Sequence, residues 1–82
     1  MNTKGNKAYI KAFGEHLRNV RKKQGMTMMD LAYEADMEYS QIAKIERGVI
    51  NTKISTVQTL SQALGVKTAD LFQFTFPPKA SR

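Results

Sequence analysis

Residues 27–47, TMMDLAYEADMEYSQIAKIER, decide the fold. Thr27 is followed three residues later by Asp30, a spacing typical of a helix N-terminus at which two side chains cap the backbone reciprocally. The helix predicted to follow turns at Asp36, because Asp tolerates left-handed backbone better than most residues. A second short helix is predicted over residues 39–47. The apolar positions expected to hold the two helices against a core are Leu31, Ala32, Ala35, Ile42 and Ile45.

Two short helices joined by a tight turn have the spacing of a helix-turn-helix. In such a motif the second helix is held by its apolar side, and its opposite face stays open to solvent. The same spacing also fits an ordinary packed helical hairpin, so the motif alone does not fix a function. The open face of the second helix carries Tyr39, Ser40, Ala43, Lys44 and Arg47.

The segments on either side supply further helices around this pair. A first helix is predicted over residues 8–24 and a fourth over residues 55–64, the latter capped by Ser55 with Gln58. A last helical turn is expected to be capped by Thr68. The apolar faces of the two longer helices consist of Phe13, Leu17, Val20, Val57, Leu60 and Leu64. The predicted fold class is therefore all-α, with five helices.

The chain is strongly basic. It has 82 residues, of which 13 are Lys or Arg and 7 are Asp or Glu, and its net charge is +6. A small basic domain points first to nucleic acid and second to an anionic membrane surface, and a basic protein without a polyanionic partner is the plain alternative. Residues 4–23 are mainly basic and residues 30–38 are acidic. A basic surface must therefore be assembled from several segments in three dimensions.

Composition excludes several classes of function. Because the chain has no Cys, it cannot form disulfides, thiolate nucleophiles or Cys-bearing zinc sites. Its single histidine, His16, is expected at the surface, and no cofactor or metal is implied. No Gly-rich phosphate loop or catalytic nucleophile–base pair is present, so we do not expect an enzyme. No apolar run approaches the roughly 20 residues of a membrane span and no secretory signal is evident, so we expect a cytoplasmic protein.

Short motifs between residues 13 and 72 carry a more specific signal. They are Phe13-Gly14, Leu17-Arg18, Gly25-Met26-Thr27, Leu31-Ala32, Ile45-Glu46-Arg47-Gly48, Ala63-Leu64-Gly65-Val66 and Asp70-Leu71-Phe72. In these motifs and their spacing the chain resembles the Cro/phage-repressor-like helix-turn-helix family, also called the Xre family. The resemblance implies a five-helix, lambda-repressor-like domain that binds double-stranded operator DNA as a homodimer and regulates transcription.

The resemblance also implies roles for individual residues. The helix over residues 39–47 is expected to be the recognition helix in the major groove. Arg21 is expected to pair with Glu46 and so to fix that helix. The side chains expected to contact bases are Tyr39, Ser40, Lys44 and Glu38. The side chains expected to contact phosphate are Thr27, Arg47, Asn51 and Lys53.

Three positions depart from the family pattern. Met28 stands at the position after the helix cap, where the family often has Gln. One side chain that usually donates a hydrogen bond to phosphate is therefore missing. Asp36 replaces the glycine of the turn. Glu38 replaces a Ser or Thr cap and places a negative charge near the groove, where it could accept a hydrogen bond from cytosine N4 or oppose wrong sites. Because of these departures, an alternative function stays open: a protein-interaction module, or an antitoxin-type partner, on the same helix-turn-helix scaffold.

The ends of the chain complete the predicted organisation. We expect a flexible arm over residues 1–7, a DNA-binding domain over residues 8–72 and a tail over residues 73–82. Aromatic residues alternate in LFQFTF (71–76), a period typical of a strand. The tail is expected either to help form the dimer interface or to pack on its own domain or be disordered. The residues expected at the dimer interface are Val66, Leu71, Phe72, Phe74 and Phe76.

Overall fold

The computed structural model describes residues 3–77, which form four α-helices followed by one short 3₁₀ helix. The elements are α1 (Thr3–Lys23), α2 (Met28–Ala35), α3 (Tyr39–Arg47), α4 (Ile54–Leu64) and the 3₁₀ helix (Thr68–Phe72). No strand forms within residues 3–77. The all-α prediction is confirmed, although the predicted fifth helix is only a 3₁₀ helix. None of these helices combines the length and apolar composition that crossing a membrane would require.

One hydrophobic core lies between the helices. α1 packs on α3 and on the 3₁₀ helix, while α2 packs on α3 and α4. Val20 is only partly buried and packs against the edge of the core, as does Met37, which was also expected to hold α3. Of the methionines expected as core fillers, Met26 and Met28 are likewise partly buried, but Met29 is 64% exposed, so that prediction is wrong for Met29. The core residues are Phe13, Leu17, Leu31, Ala32, Ala35, Ile42, Ile45, Val57, Leu60, Leu64 and Leu71.

The turn between α2 and α3 is tightly hydrogen-bonded. Asp36 adopts left-handed backbone with φ 55°, as its residue type predicted. Its N–H donates to the carbonyl of Tyr33 at 3.2 Å, and the N–H of Met37 donates to that of Ala32 at 2.9 Å. Because both bonds close the last turn of α2, the chain leaves that helix in a fixed direction and enters α3 at a defined angle.

Two of the predicted helix caps are wrong. α4 begins at Ile54, and no side chain caps it, so Ser55 already lies inside the first turn. The last turn begins after Lys67, whose N–H donates to the Asp70 carboxylate at 3.0 Å. The Thr68 hydroxyl instead forms a hydrogen bond with the Ser61 hydroxyl at 2.9 Å. The N-cap residues are Lys53 and Lys67, which lie two residues and one residue before the expected caps.

The boundaries predicted for the two ends also need correction. α1 begins at Thr3, so the arm expected over residues 1–7 is helical from that residue, and residues 1–2 lie outside the described part. The tail forms no strand within residues 73–77, because its rings pack on α1 rather than pair with another strand. The ring of Tyr9 lies 5.3 Å from that of Phe74 and 5.0 Å from that of Phe76. Residues 78–82 lie outside the described part.

Candidate nucleic-acid interface

One face of α3 is open to solvent, and the opposite face is buried in the core. The buried face is formed by Ile42, Ile45 and Glu46. Residues at i, i+4 and i+7 of a helix share one face, so the positions 40, 44 and 47 form a single exposed stripe. The structure therefore brings Ser40 and Lys44, which were expected to contact bases, onto one surface with Arg47. The exposed side chains of α3 are Tyr39, Ser40, Gln41, Lys44 and Arg47.

A buried ion pair fixes α3 to α1. The Arg21 guanidinium donates to the Glu46 carboxylate from Nε at 2.5 Å and from Nη2 at 2.9 Å. The two side chains are only 8% and 5% exposed, so solvent and salt screen the pair little. Nη1 of Arg21 also donates to the carbonyl of Met26 at 2.8 Å, which ties in the loop before α2. The hydrogen bonds to Glu46 raise the pKa of Arg21 above its ordinary value, so the guanidinium stays charged.

Two glycines let α1 approach the end of α3 more closely than side chains permit. A Cβ atom at Gly14 would lie 2.3 Å from the carbonyl oxygen of Ile45 and 2.7 Å from that of Glu46. A Cβ atom at Gly48 would lie 2.5 Å from the Cα atom of Lys11. Real Cβ atoms do not make contacts this short, so both positions require glycine. The carboxyl-terminal half of α3 is thus held by direct backbone contact as well as by the ion pair.

The acidic side chain at the cap of α3 forms no hydrogen bond with residues that the structure describes. Glu38 precedes the helix and is exposed, and its side chain makes no capping hydrogen bond. Its backbone carbonyl accepts from the N–H groups of Gln41 and Ile42 at 3.0 and 3.2 Å. The carboxylate is therefore available to accept hydrogen bonds from a bound molecule at the amino-terminal end of the exposed stripe.

The amino terminus of α2 is capped as predicted. The N–H of Asp30 donates to Thr27 Oγ1 at 2.9 Å, and the N–H of Thr27 donates to Asp30 Oδ2 at 2.9 Å. The hydrogen bond that the Thr27 backbone N–H donates to the carboxylate, together with the Thr27 side chain, lowers the pKa of Asp30 below its ordinary value. The Thr27 hydroxyl hydrogen can still be donated to a phosphate, but the Asp30 carboxylate beside it opposes a second negative charge.

Comparison with known proteins agrees with this arrangement of α2, turn and α3. Residues 17–71 match the helix-turn-helix family model. The chain belongs to the helix-turn-helix family. Control protein C.BamHI of Bacillus amyloliquefaciens is 39% identical over 64 residues, which cover 77% of this chain and 79% of that protein. The HTH-type transcriptional regulator DdrOP3 of Deinococcus deserti is 30% identical over 59 residues, covering 72% of this chain but only 46% of that longer protein.

A solved structure extends the similarity from sequence to fold. The restriction-modification controller protein C.AhdI from Aeromonas hydrophila superposes with a TM-score of 0.78 at 29% sequence identity. The match covers 80% of this chain and 96% of that one. The helix-turn-helix of this chain is therefore embedded in the same helical architecture as that of a controller protein.

The residues of this helix-turn-helix domain that are expected to contact phosphate do not all lie on one surface. Thr27 and Tyr39 line one depression beside α3. Asn51 is exposed in the loop before α4, where it lines an apolar groove with Tyr9 and Ile54 instead. Lys53 is exposed at the end of the same loop. The structure thus places Thr27 near Tyr39, at the start of α3, whereas Asn51 lies in a different groove.

Sequence reasoning missed the positions of two side chains of α1. Arg18 lines a depression together with Arg47 and the buried Arg21–Glu46 pair. Its spacing of three residues from Arg21 is the signal that could have shown this, since such residues share a side of a helix. The prediction for His16 is wrong: it is half-buried, with Nε2 2.8 Å from the carbonyl oxygen of Asp70.

The residues expected at the dimer interface occupy different environments. Leu71 is fully buried in the core, so its side chain cannot touch a partner, and the prediction is wrong for this residue. Phe74 and Phe76 are half-buried and contact Tyr9 of their own chain. Val66 is half-buried, while Phe72 is exposed. Of the expected set, only Phe72 has an exposed side chain, with 43% of its surface accessible while its ring lies 5.3 Å from that of Phe13.

Proposed function

We propose that the protein is a DNA-binding transcriptional regulator that reads its operator with α3. One observation carries this proposal: the polar stripe of α3 is exposed, while the other face of the helix is fixed by the core, the buried ion pair and the glycine contacts. A surface fixed in advance loses little conformational entropy on binding. The relatives named as a control protein and a transcriptional regulator support the same function.

The chemistry of the stripe suggests how it would read bases. Lys44 can donate to O6 and N7 of guanine, and Ser40 can donate or accept. Tyr39 can contact a thymine methyl group or donate to a phosphate. Glu38 can accept from cytosine N4, because its carboxylate is exposed and has no internal partner as a cap. Arg47, Lys53, Asn51 and, more weakly because of the nearby Asp30, Thr27 would contact the phosphate backbone.

Homodimeric binding to a pseudo-palindromic operator is part of this proposal. Two copies of α3 would then enter successive major grooves about 34 Å apart. The apolar groove lined by Tyr9, Ile54 and Phe72 is the surface we assign to the second copy, because Ile54 is 86% exposed beside a recess that could receive its counterpart. A two-fold interface requires a surface that carries both the protrusion and the recess.

The proposal can be tested by selecting bound sequences from a random DNA pool. We expect a preferred site with two-fold symmetry and half-sites about 10 base pairs apart. Lys44→Ala should relax the base preference at one position of each half-site, whereas Lys53→Ala should weaken binding to all sequences alike. Recovery of no preferred sequence by the wild-type protein would contradict a sequence-specific regulator, and equal effects of the two variants would contradict the role of Lys44.

The dimer is tested separately by sedimentation. Ile54→Asp should convert the dimer to a monomer, because it buries a charge in the interface. Tyr33→Asp is the matched control, since Tyr33 is 84% exposed on α2 and does not line this groove. A dimer that persists in the Ile54 variant, or is lost equally in both variants, would contradict the assigned surface.

One observation favours a second candidate, a protein-interaction module. Met29 and Tyr33 are exposed on α2 beside the carboxylates of Asp30 and Glu34, and such an apolar and acidic surface does not suit DNA. A wild-type protein that shows no affinity for random duplex at low salt would favour this candidate over the regulator.

A further inference from the structure

We propose that Arg18 and Arg47 together form a binding site for one backbone phosphate in the depression between α1 and α3. This inference rests on the proposed DNA-binding function and names a phosphodiester as the ligand of a site for which the sequence predicted only Arg47. The site also places hydrogen-bond donors for phosphate next to Met28, whose own side chain has none.

The depression is built from three helices. Arg18 and Arg47 are exposed, whereas Arg21 and Glu46 are buried beneath them. The remaining lining comes from Met28 of α2 and the small side chain of Ala43 in α3. An anion in this depression would thus find charged donors only on α1 and α3.

Among the described residues, the two exposed arginines have no acidic partner at contact distance. The Arg21–Glu46 pair is the one salt bridge within the described residues. Glu15 lines a neighbouring surface with Arg18 but lies beyond ion-pair distance. Both exposed guanidinium groups are therefore available to an external anion.

The charge balance of the depression favours an anion. Glu46 contributes a negative charge, but two hydrogen bonds from Arg21 neutralise it at contact. Arg18 and Arg47 then leave an excess of positive charge around a partly enclosed surface. A guanidinium is the side chain best suited to phosphate, because its planar array of donors can bind two oxygens at once.

The position of Arg47 links this depression to the surface that would read bases. Arg47 belongs both to the exposed stripe of α3 and to the lining of the depression. A phosphate held by both arginines would therefore lie beside α3 and next to the start of α2. DNA backbone occupies such a position when a helix lies in the major groove, since phosphates line both edges of the groove.

The first experiment measures binding of the selected operator at several salt concentrations. Arg18→Gln should lower affinity about tenfold and reduce the slope of log K against log salt by about one, without changing base preference. Lys22→Gln is the matched control, because Lys22 is an exposed cation of α1 that does not line the depression. An unchanged affinity for Arg18→Gln, or the same loss for Lys22→Gln, would overturn the proposal.

A second experiment asks whether both arginines hold the same phosphate. Neutral methylphosphonate is placed at one backbone position of the operator at a time. At one position per half-site the methylphosphonate should lower the affinity of the wild-type protein. At that same position it should have little further effect on Arg18→Gln and Arg47→Gln, whose affinity the substitution has already lowered. If the Arg18 variant became insensitive to neutralisation at one backbone position and the Arg47 variant at another, a shared site would be refuted.

A wild-type protein that bound no duplex would refute the proposed function but would still leave the site testable. Inorganic phosphate can be titrated while the side-chain Nε resonance of Arg47 is followed by NMR. The resonance should shift in the wild-type protein and shift clearly less in Arg18→Gln. Equal shifts in both proteins, or none in either, would overturn the site itself.

Discussion

Replacing Gly14 with Ala sets a gain in helix propensity against a steric conflict between two helices. Inside a helix, Ala is more favourable than Gly by about 0.5–1 kcal/mol. The new Cβ atom, however, would lie 2.3 Å from the carbonyl oxygen of Ile45 and 2.7 Å from that of Glu46. Carbon and carbonyl oxygen atoms approach comfortably only to about 3.3 Å, so α1 and α3 would have to separate by about 1 Å.

The cost of that separation exceeds the gain. Overpacking of this kind costs about 1–3 kcal/mol and occasionally more. A gap of about 1 Å also forfeits up to half of the dispersion energy of the contacting atoms. The same movement would lengthen the hydrogen bonds between Arg21 and Glu46, which cross between the two helices. We therefore expect Gly14→Ala to lower the free energy of unfolding by about 2 kcal/mol net.

Urea unfolding followed by circular dichroism measures this difference. With an m-value of about 1 kcal/mol/M for a domain of this size, the unfolding midpoint should fall by about 2 M. Asn19→Ala is the matched control, because Asn19 is exposed on the same helix and the substitution only shortens its side chain. The control should be as stable as the wild type or slightly more so. A Gly14 variant as stable as the control would refute the close contact between α1 and α3.

Two further predictions concern the ion pair and the cap of α2. Glu46→Gln should destabilise the protein by about 3 kcal/mol in urea unfolding, because it leaves the buried Arg21 charge without a partner. The double variant Arg21→Met with Glu46→Leu should recover most of that loss, because it removes both buried charges. A double variant no more stable than the single variant would contradict this account. Asp30 has a lowered pKa in the folded protein, so its contribution to stability is complete above its ordinary value of 3.8 and is lost as pH falls through the lower folded value. Asp30→Asn should therefore reduce the loss of stability on acidification in that pH range, and identical pH profiles for variant and wild type would contradict the role of the cap.

Local patterns predicted the helix-turn-helix well, because its signals lie close together in the chain. The reciprocal cap of Thr27 and Asp30, the left-handed turn at Asp36 and the buried face of α3 each follow from residue type and helical spacing. The Arg21–Glu46 pair was expected from the family resemblance, and the structure contains it. The cap, the turn and the buried face can be predicted without knowing which distant segments are in contact, and the family pattern supplied the one long-range pair.

The features that were missed depend on contacts between distant segments. His16 is half-buried because the carbonyl of Asp70 and the ring of Phe74 lie against it, far along the chain. Alternating aromatic residues predicted a strand, but the tail rings pack on Tyr9, and a period of two cannot distinguish these outcomes. The depression lined by Arg18 likewise forms only when three helices meet. The expected base and phosphate contacts remain predictions.

The way α3 is anchored has a consequence for how its target could change. All the contacts that hold this helix come from its buried side and from its backbone near Gly14 and Gly48. We therefore expect that the side chains at the exposed positions 39, 40 and 44 can be exchanged together without loss of folding. A library randomised at these three positions should yield stable proteins throughout, from which variants with altered operators could be isolated. The same freedom offers a short evolutionary route by which one scaffold could acquire a new target.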